Sequence, residues 1–185
     1  MIITHHREKL INAIIYFAGK TKYCGKTKLM KLLYFLDFTH FKQTGKSVTG
    51  LEYYAWQMGP VPKDLFEELS GKMKPDMKAT IQDLSGEGFQ QIQPKAKFDN
   101  QYFSKKEMEL IEDIAFIFED AKADAMVEAS HLKNEPWDRT LTEKGEFKKI
   151  DYMLAVDSEV VSLSYDEASE RNEERAEMIK LFGAA

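Results

Sequence analysis

Gly19-Lys20-Thr21-Lys22-Tyr23-Cys24-Gly25-Lys26-Thr27 holds glycines, a lysine and a hydroxyl in the order that a phosphate-binding loop uses. Such a loop needs four residues between its glycines, so that successive backbone N–H groups surround one phosphate. Here five residues separate Gly19 from Gly25, and the apolar residues before them recur at helical rather than strand spacing. No apolar strand ending in Asp follows to hold Mg²⁺, so the loop predicts no nucleotide site. Cys24 lies among lysines that could lower its pKa toward a reactive thiolate. The sequence marks no partner His or Asn, so a cysteine nucleophile is not expected. The four histidines are His5, His6, His40 and His131. Sequence neighbours such as His5 and His6 point about 100° apart on a helix and cannot chelate as an i, i+4 pair does. The expectation is a protein with no catalytic residue, no metal and no cofactor.

What remains is the chemistry of binding. Lys20, Lys22, Lys26, Lys28 and Lys31 surround Tyr23, which could form a phosphate-tracking patch with a stacking ring. This supports an alternative reading as a nucleic-acid-binding transcriptional regulator. The whole chain opposes it: 26 basic against 31 acidic residues give a net charge of −5 and a pI near 5.5. Nucleic acid is therefore not the expected partner, and the lysines read as a solvated turn. Tyr53, Trp56 and the elbow Gly59-Pro60-Val61-Pro62 put aromatic rings beside stiff backbone, which lowers the ordering cost of binding a protein. His131 and Trp137 flank Pro136 and could belong to the same recognition surface. The structural alternative has His131 bond a backbone carbonyl while Trp137 closes the core. Asp166, Glu167, Glu170, Glu173, Glu174 and Glu177 form an acidic run that would suit a basic partner.

The elements that must position these groups follow from periodicity. Leu10, Ile11, Ile14, Ile15 and Ala18 make one helical stripe from about residue 5 to 18. A second helix, Thr27 to Gln43, carries apolar residues on more than one face and is expected to be central and buried, capped by Thr27 and ended by Gly45. Residues 48–58 are rich in β-formers and predict a strand ending at Met58. Pro62 suits the first turn of a new helix that Gly71 ends. Met77, Ile81 and Leu84 fit a short helix, with short strands at Phe89–Gln93 and Ala96–Tyr102. Ser104 and Glu107 form a capping box opening a long helix through Phe118, and another helix covers Asp124–Lys133. The sum is a predominantly helical α+β fold with a central buried helix and a small antiparallel sheet. Residues 1–163 read as one domain, with 164–185 an acidic helix appended to it. One cysteine, no signal-like start and no long apolar run place the chain in the cytoplasm.

Three segments together resemble the Panacea (SocA-like) antitoxin family. Lys28-Leu29-Met30-Lys31-Leu32-Leu33-Tyr34-Phe35 resembles its buried second helix. Tyr54-Ala55-Trp56-Gln57-Met58-Gly59-Pro60-Val61-Pro62 is similar to its Trp-to-Gly-Pro-Val elbow. Ser130-His131-Leu132 with Pro136-Trp137 looks like its C-terminal His/Trp signature. The likeness spans about residues 10–155, leaving 72–103 without a counterpart and the acidic end as an addition. It implies an antitoxin that neutralises a protein toxin encoded by an adjacent gene by direct contact, in some relatives by delivery to a protease. Some members are known only as phage-associated proteins, and the family supplies no catalytic residue.

Overall fold

The computed structural model describes residues 4–84, 86–132 and 134–156. Its axis is α2 (Lys26–Thr44), whose Leu29, Leu32, Leu33 and Leu36 are all completely buried. Those positions point in several directions around one helix, so every side of α2 must be covered. α1 (His6–Lys20), α5 (Lys105–Ile117) and α6 (Ala123–Ser130) pack on it, together with α3 (Lys63–Ser70). The start of α2 differs from expectation. Gly25 is the residue before the helix and no side chain caps it, while Thr27 lies inside the first turn. Gly45 ends it as expected, at φ 71° with its N–H donating to Phe41 O at 2.7 Å.

Only residues 54–56 of the predicted 48–58 strand are extended in a ladder. The reason is Asp37 of α2, whose carboxylate accepts from the backbone N–H groups of Val48 at 2.8 Å and Thr49 at 2.7 Å. Those donors are taken, and the chain turns at Gly50, φ 70°. Strand β1 (Tyr54–Trp56) then pairs antiparallel with β2 (Gly59–Val61), in the register Tyr54–Val61, Ala55–Pro60 and Trp56–Gly59. The strand thus ends at Trp56, Met58 lies in the turn, and the elbow is itself a strand. Pro60 has no N–H to give. Its neighbour Ala55 pairs on the other side instead, donating to Lys148 O at 2.9 Å and accepting from Phe147 N–H at 2.8 Å.

Pro62 precedes α3, and Gly71 follows it as expected. α4 (Pro75–Thr80) buries Met77 but stops before Ile81. The two strands expected within 89–102 do not form, and the single bridge there joins Ile81 to Pro94. Their backbone donors go to separate places: Ile92 N–H to Cys24 O, Lys95 N–H to Thr80 O, Asp99 N–H to the Asn12 side chain. Lys95 and Ala96 both donate to the one carbonyl of Thr80 rather than to alternate residues of a partner strand, so no ladder builds.

The capping box opens α5 as read: Glu107 N–H donates to Ser104 Oγ and Ser104 N–H to Glu107 Oε2. Glu107 also accepts from Lys9 Nζ at 2.7 Å, tying α5 to α1. α6 ends at Ser130, short of the expected Lys133, which lies outside the described residues. α7 (Pro136–Lys144) was not expected as a helix: Pro136 stops the preceding turn and also takes the first helical position, where its missing N–H does no harm. A 3-10 turn, Tyr152–Ala155, closes the described chain. The fold is a predominantly helical α+β fold with a two-stranded antiparallel sheet. No described helix is long and apolar enough to cross a membrane. The acidic helix expected at 164–185 lies outside the described residues.

Candidate functional site

The hairpin is fixed to α2 from beneath by buried polar groups. Tyr53, completely buried, donates its hydroxyl to Asp37 Oδ2 at 2.7 Å, and the Thr49 hydroxyl donates to the same oxygen. Burial pushes the Asp37 carboxyl up to about 6, against the pull of these donors. Lys31, also on α2, donates Nζ to Pro60 O at 2.9 Å, and its burial lowers its pKa to about 7. Gly59 is required at its place. Its φ is 100°, and a Cβ there would lie 2.8 Å from Lys31 Nζ, 2.8 Å from Ser130 Oγ and 3.0 Å from His131 Nε2. His131 stacks flat on Trp137, ring centroids 3.7 Å apart and planes 5° apart. Burial, and then the Lys31 charge, hold the His131 pKa below its usual value. Trp137 donates Nε1–H to Trp56 O at 2.9 Å, so α7 grips the strand from its far side.

This geometry corrects the sequence reading of the elbow. Tyr53, Gly59, Pro60, Val61, Pro62 and Trp137 are buried, so none of them is an exposed anchor. They are the frame. Trp56 and His131 are half-buried and remain at the surface. Around Trp56 the frame presents rings that sequence reasoning missed. Phe66 of α3 meets Trp56 edge-on at 5.1 Å, and Phe147 meets it at 6.0 Å. Phe147 is 63% exposed at φ 61°, a left-handed conformation uncommon for a bulky residue, and Met58 in the hairpin turn is 61% exposed. The only sequence hint of Phe147 was its place just after Gly145, which follows α7.

The lysine stretch also differs from its reading as a solvated turn. Lys28 and Lys31 are inside the protein, at 0% and 1% exposure. Lys28 donates to the carbonyls of Lys22, Phe118, Glu119 and Ala121, at 2.6 to 3.2 Å. Lys22 pairs with Asp120 at 2.6 Å, and Lys26 reaches Leu84 O at 3.2 Å. A phosphate-tracking surface built from all five lysines is therefore not assembled. Cys24 is buried, and loss of water raises its pKa to about 11, which overrides the nearby lysines. The glycine loop lies between two helices: α1 runs through Gly19 to Lys20, and Lys26 opens α2.

The family model of the antitoxin SocA-like Panacea domain matches residues 29–138, more than half of the chain. The chain belongs to this family. No curated protein and no solved structure matches it. The matched span begins in α2 and ends in α7, narrower than the 10–155 read from the sequence. It takes in Lys31, Asp37, the hairpin, His131 and Trp137, the groups that frame the site. Phe147 and the acidic run after 164 fall beyond the Panacea match.

Proposed function

We propose that this Panacea domain neutralises a protein toxin, encoded by an adjacent gene, by direct contact rather than by catalysis. The contact face is Trp56, Met58, Phe66 and Phe147. One observation carries the choice of face: Phe147 is held in left-handed backbone with its ring in water beside Trp56. Such strain costs about 1–3 kcal/mol and persists where surrounding structure and function sustain it. Aromatic side chains dominate the energy of protein interfaces, and the buried frame beneath spares them the cost of ordering on binding. Family membership supports the antitoxin role. Delivery of the bound toxin to a protease is one route by which contact would end in neutralisation.

Co-expression tests the reading. The adjacent gene alone should arrest growth, and this protein should restore it while co-purifying as a stable complex. Phe147→Asp and Trp56→Ala should fold, by circular dichroism and melting, yet lose the complex by at least about tenfold in affinity. A harmless neighbour, or recovery without a complex, would sink direct neutralisation. Undiminished binding by both folded variants would move the contact elsewhere.

A further inference from the structure

Phe116 and Ile117 end α5 with 80% and 67% of their surfaces exposed. Neighbours on a helix lie about 100° apart, so two adjacent large apolar side chains in water cover a broad strip. The exposed acids Glu109, Glu112 and Asp113 precede Phe116 by seven, four and three residues, which places them on the same face. Glu119 and Asp120, just past the helix, are exposed as well. Residues 105–128 hold three lysines (Lys105, Lys106, Lys122) against eight carboxylates (Glu107, Glu109, Glu112, Asp113, Glu119, Asp120, Asp124, Glu128). That balance of −5 over 24 residues makes this stretch one of two acidic segments of the chain, the other being the acidic run after residue 164.

Part of this charge is already answered. Glu107 is taken by Lys9, Glu109 lies 3.7 Å from Lys105, and Asp120 is held by Lys22. Lys122 leans over the Tyr23 ring at 5.7 Å. Glu112, Asp113 and Glu119 make no ion pair with a described residue. The result is an apolar pair set in a net negative field that Lys22 and Lys105 answer only in part, on a helix whose other side is committed to α1 and α2. Exposed apolar strips rimmed by charge mark interaction sites, and complementary potential decides what binds.

We propose that the exposed face of α5, Glu109 to Ile117 with Glu119, docks a cationic amphipathic segment of a partner protein. Its apolar side chains cover Phe116 and Ile117, and its lysines or arginines meet Glu112, Asp113 and Glu119. Nucleic acid is repelled by the same field. This face is separate from the Trp56–Phe147 face and does not depend on the toxin reading.

The test titrates the full chain with a synthetic amphipathic helix of leucine and lysine, about four turns long, and with its leucine–glutamate analogue. The lysine peptide should bind and weaken with added salt, and the glutamate analogue should not bind. Phe116→Ser with Ile117→Ser, and separately Glu112→Lys with Asp113→Lys, should each weaken binding at least about tenfold. Glu143→Lys, a charge reversal on α7, should leave it unchanged. All positions changed are exposed, and melting curves confirm folding of each variant. If the serine pair binds like wild type, the attraction is unspecific charge and the proposal falls. It also falls if a concentration-dependent dimer is lost in the serine pair and the lysine peptide does not compete with it, which would assign the face to a second copy of this chain.

Discussion

The two halves of α2 bury opposite charges for one purpose. In the first half, Lys28 gathers four carbonyl oxygens from the α1–α2 turn and the α5–α6 turn, and Lys31 takes Pro60 O from the hairpin. In the second, Asp37 gathers two backbone N–H groups and two hydroxyls from residues 48–53. Each charge fixes irregular backbone to the central helix by answering polar groups that have no ladder to join. The halves differ in completeness. Asp37 has four donors on two oxygens, Lys28 four acceptors for three protons, and Lys31 one acceptor among the described residues, Pro60 O at the foot of the hairpin. Burial energetics follow that order, because a buried charge is tolerable to the extent that it is hydrogen-bonded.

The largest effect is therefore expected at Asp37. Asp37→Ala leaves the Val48 and Thr49 N–H groups and the Tyr53 hydroxyl without their acceptor inside the core. Removing one member of a buried charged network costs about 3–5 kcal/mol, a large share of a domain's stability. Denaturant unfolding should show a collapsed midpoint. A midpoint near wild type would mean that water reaches residues 48–53 and that the anion half of α2 is no anchor. Lys28→Met ranks next. Hydrogen bonds to charged groups are worth about 1.5–3 kcal/mol, but Glu119 is exposed, so water can satisfy part of the α5–α6 turn. A loss of about 2–3 kcal/mol is expected, with hydrogen exchange rising at residues 118–122 before the rest of the molecule. Uniform exchange across the protein would deny Lys28 its local role.

These ties explain which parts of the fold the sequence shows. Helical stripes, the Ser104–Glu107 capping box and Gly45 depend on neighbours within a few residues, and all can be read from the chain. So can the closeness of His131 and Trp137, since Pro136 fixes the turn between them. Lys28 could not be read, because its carbonyl partners at Phe118, Glu119 and Ala121 lie 90 to 93 residues away and carry no side-chain signature. A lysine among lysines looks like surface until its acceptors are known. The elbow misled in the same way. Gly59-Pro60-Val61-Pro62 is a stiff segment whichever way it faces, and Lys31 beneath it decides that it faces inward. Phe147 was hidden by conformation: nothing in a phenylalanine announces a positive φ.

The smallest effect separates Asp37 from Lys31 by pH. Burial raises the Asp37 pKa to about 6, from about 3.9 in an unfolded chain. Between those values the folded protein holds a proton that the unfolded chain has lost, so raising the pH costs stability. Lys31 behaves oppositely. Burial lowers it to about 7, from about 10.4, so above 7 the unfolded chain holds the extra proton and raising the pH adds stability. Stability due to Asp37 should fall by about 1 kcal/mol from pH 5 to 6, and that due to Lys31 should rise by about 1 kcal/mol from pH 7 to 8. Burial holds His40 and His131 below their usual values, so their contributions slope oppositely to that of Asp37. The quantity to measure is therefore a difference between wild type and variant, in which His40 cancels. His131, which feels the Lys31 charge, cancels only for Asp37→Asn, so Lys31→Met is judged on the arm from pH 7 to 8. Asp37→Asn should remove the falling arm and spare the rising one, while Lys31→Met should do the reverse. If Lys31→Met leaves the rise from pH 7 to 8 intact, Lys31 stays charged in the fold, and the contrast between the two halves of α2 is one of partners alone.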